Sequence, residues 1–273
     1  MTVPDLTHRE TRALELMDDP DCDLVALERT YRHFALVNGV VAGWRRVYRR
    51  RIRPLLEASP DGRLTVLDIG SGAGDVPRAL ADRARRDGYH LDILAVDPDP
   101  RAHAFATAER RSPVPGAAPG RDATLAFDRT TSRALVDEGR RFDLVLSNHV
   151  LHHLDPVDLG DLLDDSARLA TTLVLHNDIE RSRLAYLLYA AATLLPFRGS
   201  FIRHDGLLSI RRSYRVDELR REVPAGWKVE GQFPFRLLLT RTGTPETDLE
   251  AAAEAAAAQG AGGAAAHPGG TDA

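Results

Sequence analysis

The chain has 273 residues, 43% hydrophobic and 28% charged, enough for one α/β domain with a sizeable core. Its net charge of −4 is concentrated after Gly243, where Glu246, Asp248, Glu250, Glu254 and Asp272 stand without a Lys or Arg; the rest is close to neutral, which excludes a field strong enough to drive it onto nucleic acid. The single cysteine, Cys22, excludes an intramolecular disulfide and a cysteine-based zinc site.

The first residues lack the basic and apolar regions of a signal peptide. Residues 1–60 are expected to form a helical lid. Asp23 is placed to cap a helix carrying Leu24, Leu27, Tyr31, Phe34 and Ala35 at helical spacing. Gly39 and Gly43 are expected to interrupt it, before a basic amphipathic stretch from Trp44 to Leu56 whose arginines, 45–53, read as a solvated face. Residues 61–242 form the main domain. Strands are expected at 64–69, 91–96, 123–127, 142–146 and 172–175, with a helix at 76–86 after the first. Uniformly apolar strands alternating with helices point to a parallel, doubly wound Rossmann-like sheet of the seven-strand type, covered on both faces.

The apolar run 184–197 is interrupted by Pro196 and is too short to cross a bilayer, so a cytoplasmic protein without membrane insertion is expected. A polar loop is expected around His204–Gly206, then a helix at 216–223 and two strands, 227–233 and 235–241, separated by Pro234. Residues 243–273, rich in Ala, Gly and Glu without an aromatic residue, read as a disordered tail.

The strongest chemical signal is the run Val66 to Asp75, in which a buried strand ends in Gly70-Ser71-Gly72-Ala73-Gly74 and a helix follows. Glycines let the backbone approach a ligand without a Cβ clash. A dinucleotide fingerprint needs a third glycine where Asp75 stands, and Asp68 just before the loop would repel a diphosphate. An acid there suits a ligand with a cationic amino group and a sulfonium, S-adenosylmethionine. Asp97, following the second strand, is the candidate for both ribose hydroxyls, with capping of the next helix as the lesser reading.

Together with the run Phe142 to Leu154, these features resemble class I S-adenosylmethionine-dependent methyltransferases over residues 62–180. Asn38 and Trp44-Arg45-Arg46 are similar to the quinone-biosynthesis type. The segments 177–182, 204–206 and 209–214 resemble bacterial small-molecule methyltransferases of secondary metabolism. The resemblance implies that Asp68, Gly70, Ser71, Gly72 and Gly74 hold the amino-acid half of the cofactor and that Asp97 holds the ribose. It places Ser147, Asn148 and His149 beside the sulfonium. The family's Gly-Asp pair after the third strand is absent, leaving Asp128 as the candidate for the adenine contact. The expected reaction is O-methylation of a small phenolic or polyketide-like acceptor. Carbon methylation of a quinone-like acceptor, a nicotinamide-dependent oxidoreductase and a non-catalytic cofactor-binding domain are the alternatives.

His149, His152 and His153 cluster after the fourth strand, where such an acceptor would lie. A structural role competes with a base or acceptor-orienting role, for which His149 and His153 are the candidates. A metal site would need a carboxylate such as Asp155 or Asp178 beside them, and no metal is expected. His176, Asn177 and Asp178 could line the acceptor pocket, with capping of the next helix as the other reading of Asp178; Arg203, His204, Arg212 and Tyr214 could orient an acceptor or lie in a solvated loop. Removal of residues 246–273 should leave the melting temperature and cofactor affinity unchanged. A truncated protein that is unfolded or binds no cofactor would contradict the tail reading.

Overall fold

A computed structural model describes residues 4–108 and 124–245. The tail from 246 onward and the Pro/Gly-rich stretch up to Ala123 lie outside the described residues. Seven strands make one sheet: β1 (Arg63–Ile69), β2 (His90–Val96), β3 (Leu125–Asp128), β4 (Phe142–Asn148), β5 (Ala170–Ile179), β6 (Lys228–Gln232) and β7 (Arg236–Thr242), in the order β3-β2-β1-β4-β5-β7-β6. The first five are parallel, and β7 runs antiparallel to both β5 and β6. This is the doubly wound Rossmann-like sheet expected from the sequence. Its order reverses at β1, whose neighbours are β2 and β4. Ile69 there lies opposite Val96 on one side and Ser147 on the other. Crevices at such reversals, beyond the carboxyl ends of the strands, are where ligands bind in open α/β sheets.

Successive side chains of a strand point to opposite faces, and both faces are apolar because both are covered. Val66, Leu144, Leu146 and Leu238 face Val76, Leu80 and Ala84 of α4 (Asp75–Arg86), together with Trp44, Val47, Tyr48, Ile52 and Leu56. Leu67, Val145, Val174 and Leu239 face Leu159, Leu162 and Leu163 of α7 (Pro156–Leu169) and Leu219 of α10 (Val216–Glu222). The stretch 44–56, which the sequence groups with the lid, therefore belongs to the core of the sheet. It runs as α2 (Trp44–Val47), a wider turn at Tyr48–Ile52, and α3 (Arg53–Ala58).

Helix α1 (Leu24–Val41) is capped by the Asp23 carboxylate, which accepts from the amides of Val25 and Ala26. It does not break at Gly39 as the sequence suggested. It ends at Gly43, whose φ of +70° is left-handed. Two further helices cover the crevice, α8 (Arg183–Ala192) and α9 (Ile202–Arg212). The expected polar loop at 204–206 is in fact the first turn of α9. Its glycine misleads, because Gly206 is there for packing: a Cβ would meet the Tyr189 hydroxyl of α8 at 2.2 Å. Strand β5 is longer than the run 172–175, since pairing with β7 extends it to Ile179 through polar residues.

Residues 5–19 form a strap, with one helical turn at Leu16–Asp18, bound by arginine and carboxylate side chains. Arg181 donates to the carbonyls of Leu6 and Thr7, and Arg212 to that of Ala13. The Asp205 carboxylate accepts from the amides of Leu16 and Met17. Arg101, held by Asp99, donates to the carbonyls of Met17 and Asp19. Gly206→Ala tests the packing of α9. Helix propensity alone would make it stabilising by about 1 kcal/mol. The Tyr189 clash should dominate and lower stability by about 1–3 kcal/mol in urea unfolding; a stabilised variant would show that Tyr189 does not pack there.

Candidate active site

A cavity of about 980 Å³ opens at the reversal of the sheet. That volume accommodates a nucleoside-sized ligand together with a small second molecule. Its floor is the glycine loop, and Tyr31, Phe34, Asn38 and Val41 of α1 form a wall. The loop folds on itself. The amides of Gly70 and Ser71 both donate to the Val96 carbonyl, that of Gly72 to the Asp97 carboxylate, and that of Gly74 to the Ser71 carbonyl. These donors are already used, so the loop has little left with which to hold a diphosphate. Gly72 has φ +53° and nothing within 4 Å of where a Cβ would stand, whereas a Cβ at Gly74 would strike the Phe127 ring at 2.4 Å. Gly74 therefore shapes the loop from behind without lining the cavity.

Carboxylates surround this floor. Asp68 is 1% exposed, and neither of its oxygens has a hydrogen-bond partner among the described residues. Burial, with Asp75 and Asp97 nearby, pushes its pKa well above the ordinary carboxylate range. Asp75 is raised mainly by burial and accepts from the Asn38 amide at 3.0 Å. Asp97 is also raised by burial. It accepts from the amides of Gly72 and Asp99 at 2.8 and 2.9 Å while still bordering the cavity.

At the opposite end, the turn after β4 places three histidines in different surroundings. His149 adopts φ +62°, and its Nε2 accepts from the Arg236 guanidinium at 2.7 Å. Burial, then Arg236, lowers its pKa far below the usual value, so it is a neutral ring whose Nε2 lone pair is occupied. Taking a substrate proton at Nε2 is closed to it. His152 is buried, with Nδ1 at 2.7 Å from Asp178, which also accepts the His152 amide. Burial alone would lower its pKa, but Asp178 and Glu15 outweigh it and push it up to about 9. Its Nε2 lies 3.5 Å from Glu15, too far for a full hydrogen bond. His153 is partly exposed, with Nδ1 3.3 Å from Asp18 and Nε2 3.9 Å from Glu15. Arg212 clamps the turn by donating to the carbonyls of His152 and His153.

The structure brings Asp68, Gly70, Ser71, Gly72, Asp97, Asn148, His149 and His153 to one cavity. Three expected residues do not line it: Gly74, which stands behind the loop, and Ser147 and Asp128. Ser147 is fully buried against His176 at 2.8 Å, because the strand's alternation turns it into the core. Asp128 is exposed at the end of β3 and accepts from the amide of Arg129; Thr130, Thr131 and Ser132 line the cavity in its place. His176 and Asn177 point into the core. Asp178 supports His152 and is not the cap of α8, which is Ser182. Arg203, His204 and Tyr214 are not in the cavity wall, and Arg212 acts through the backbone. Sequence reasoning missed Glu15, which sits 3% exposed in the strap and accepts from Ser209 at 2.7 Å; no spacing ties it to the distant histidines. Asp75 carried a signal, the acid in the third-glycine position, yet was used only to exclude dinucleotides.

Residues 42–224, about two thirds of the chain, match a family described as "Methyltransferase domain". The chain belongs to this methyltransferase family. A ubiquinone biosynthesis O-methyltransferase of Roseobacter denitrificans (strain ATCC 33942 / OCh 114) is 34% identical over 108 residues, 39% of this chain and 38% of that protein. The match thus spans well under half of that relative. Among solved structures, the plantazolicin methyltransferase BpumL in complex with SAH has a TM-score of 0.57 at 11% identity, over 84% of this chain and 92% of that one. The CurJ carbon methyltransferase has 0.54 at 12% identity, over 82% and 62%. At such identity the likeness concerns the fold. Among the described residues no helix is long and apolar enough to cross a membrane.

The uncompensated Asp68 has a stability cost. An acid whose pKa is raised by folding favours the folded state while protonated, and that contribution is lost as pH rises through the raised value. Asp68→Asn should therefore stabilise the ligand-free protein, by on the order of 1 kcal/mol for each pKa unit of elevation. The gain should grow with pH in thermal melts; a less stable variant, or a gain independent of pH, would contradict this.

Proposed function

We propose that the protein is an S-adenosylmethionine-dependent methyltransferase that O-methylates a small phenolic or polyketide-like acceptor. The observation that carries this is Asp68, a buried carboxylate without a partner among the described residues, beside a loop four of whose amides are already spent. Such a floor favours a cationic ligand and disfavours a diphosphate. Asp68 takes the cofactor's ammonium group. Asp97 retains lone pairs for the ribose hydroxyls beyond the two amides it holds. Gly72 leaves room for the ligand to lie against the backbone, and Tyr31 and Phe34 cover it. Asn148, fixed by the Trp44 indole at 3.0 Å, lies at the junction with the acceptor end.

When bound, S-adenosylmethionine supplies a methyl group on a sulfonium: the acceptor's lone pair forms the new bond to carbon as the carbon–sulfur pair returns to sulfur. The chain's own part is alignment and exclusion of water. Leu188, Tyr189 and Ala192 of α8, with Ile202 and Ile210 of α9, give the acceptor end an apolar wall. A hydroxyl acceptor must shed its proton, and it does so beside the Glu15, His152 and His153 group that borders that end. His149 orients the site as a neutral ring locked on Arg236.

Calorimetric titration with S-adenosylmethionine, S-adenosylhomocysteine and NAD tests the assignment. The first two should bind, NAD should not, and Asp68→Asn should weaken S-adenosylmethionine by about tenfold or more, equivalent to 1.4 kcal/mol. Binding of NAD, or unchanged affinity in the variant, would overturn it. Labelled methyl transfer to a panel of phenols and carbon acids then separates oxygen from carbon methylation.

A further inference from the structure

We infer that Glu15, His152 and His153 form a binding site for a divalent transition-metal ion of the zinc class, at the acceptor end of the cavity. The three side chains come from separate places, the strap and the turn after β4, yet their ligand atoms all lie within 4.8 Å of one another. Glu15 Oε1 is 3.5 Å from His152 Nε2 and 3.9 Å from His153 Nε2. Ligands about 2.0–2.1 Å from a tetrahedral ion stand roughly 3.3 Å apart, so small side-chain movements would close the set. His152 Nε2 is buried and has no hydrogen-bond partner among the described residues, although it is aimed at Glu15.

What lies behind the ligands is equally informative. A metal-bound histidine presents one ring nitrogen to the ion and is oriented through the other by a carboxylate. His152 meets that description through its Nδ1 bond to Asp178 at 2.7 Å, and at His153 the Asp18 carboxylate stands 3.3 Å from Nδ1, so both Nε2 atoms are left on the Glu15 side. Ser209 donates to Glu15 and fixes the carboxylate. The nearby guanidinium, Arg212, is directed at the backbone carbonyls of the two histidines and at that of Ala13. Two histidines and one carboxylate make a three-ligand set that leaves a fourth position open, here towards the cavity. Asp155 and Asp178, the carboxylates that the sequence offered as ligands, are not part of the set: Asp155 caps α7, and Asp178 stands behind His152.

The use of the ion rests on the proposed methyl transfer: bound to an acceptor hydroxyl, it lowers that group's pKa so that the proton is lost to solvent before methylation. The ion's presence does not depend on that reaction and is read without cofactor or acceptor. Protein stripped with a chelator and titrated with ZnCl2 in a calorimeter should bind one equivalent, at about 1 µM or tighter. Co2+ should bind at the same stoichiometry with the visible absorption of a tetrahedral site. His153→Ala and Glu15→Gln should each weaken Zn2+ binding at least tenfold, and Asp18→Asn by roughly tenfold. His153 is partly exposed, so its variant should fold even if the buried Glu15→Gln does not, which a melt at equal concentration would show. No one-equivalent binding, or binding unchanged in His153→Ala, would overturn the site. Zn2+ binding with no affinity for S-adenosylmethionine would leave the site standing and remove the methyltransferase role.

Discussion

One carboxylate without a partner organises this molecule. Asp68 lies next to the end of β1, where the sheet reverses, and folding buries it near two further acids, Asp75 and Asp97, with no hydrogen-bond partner for its own oxygens among the described residues. A buried charge lacking compensation is unfavourable unless a ligand supplies the opposite charge. The loop offers an anion few amides, because those of Gly70, Ser71, Gly72 and Gly74 hold its own turn. The same arrangement therefore lowers the stability of the empty protein and selects what fills it.

The other end of the cavity follows a different logic. There the polar groups are paired, and pairing fixes direction. Arg212 and Asp178 hold the histidine turn from behind, Arg236 locks His149, and Arg181 and Asp205 draw the strap across so that Glu15 reaches the cavity. Arg181 and Arg212 do this through the backbone: their five-donor guanidinium groups satisfy carbonyls of the strap and of the histidine turn. The wall of α8 and α9 is mostly apolar towards the cavity, with Asp205 and Ser209 as its polar members, so the two ends differ in chemistry as the two substrates of a methyl transfer do.

The strands and the glycine loop were legible because their signals are local. Apolar runs of strand length and glycines at alternate positions depend on neighbours in sequence, and the structure places them within a residue or two, except that β5 runs on to Ile179 through polar residues. What was not legible depends on distance. The Ser147 side chain is assigned to the core by the strand's alternation, and Asp128 turns back on its own amide neighbour; family likeness alone carried both to the cofactor. Gly206 reads as a loop residue until Tyr189 is seen above it. Glu15 could not be linked to His152 across more than a hundred residues by any periodicity. His149 stood beside His153 as a candidate base because its occupied Nε2 is visible only once Arg236 from β7 is beside it.

The central claim is electrostatic, and the most direct measurement is a crystal structure of the protein with S-adenosylhomocysteine bound. The account predicts the amino group of the ligand within hydrogen-bond distance of Asp68, and the ribose hydroxyls on Asp97. A ligand whose amino group lies away from Asp68, with that carboxylate still unpartnered, would contradict it.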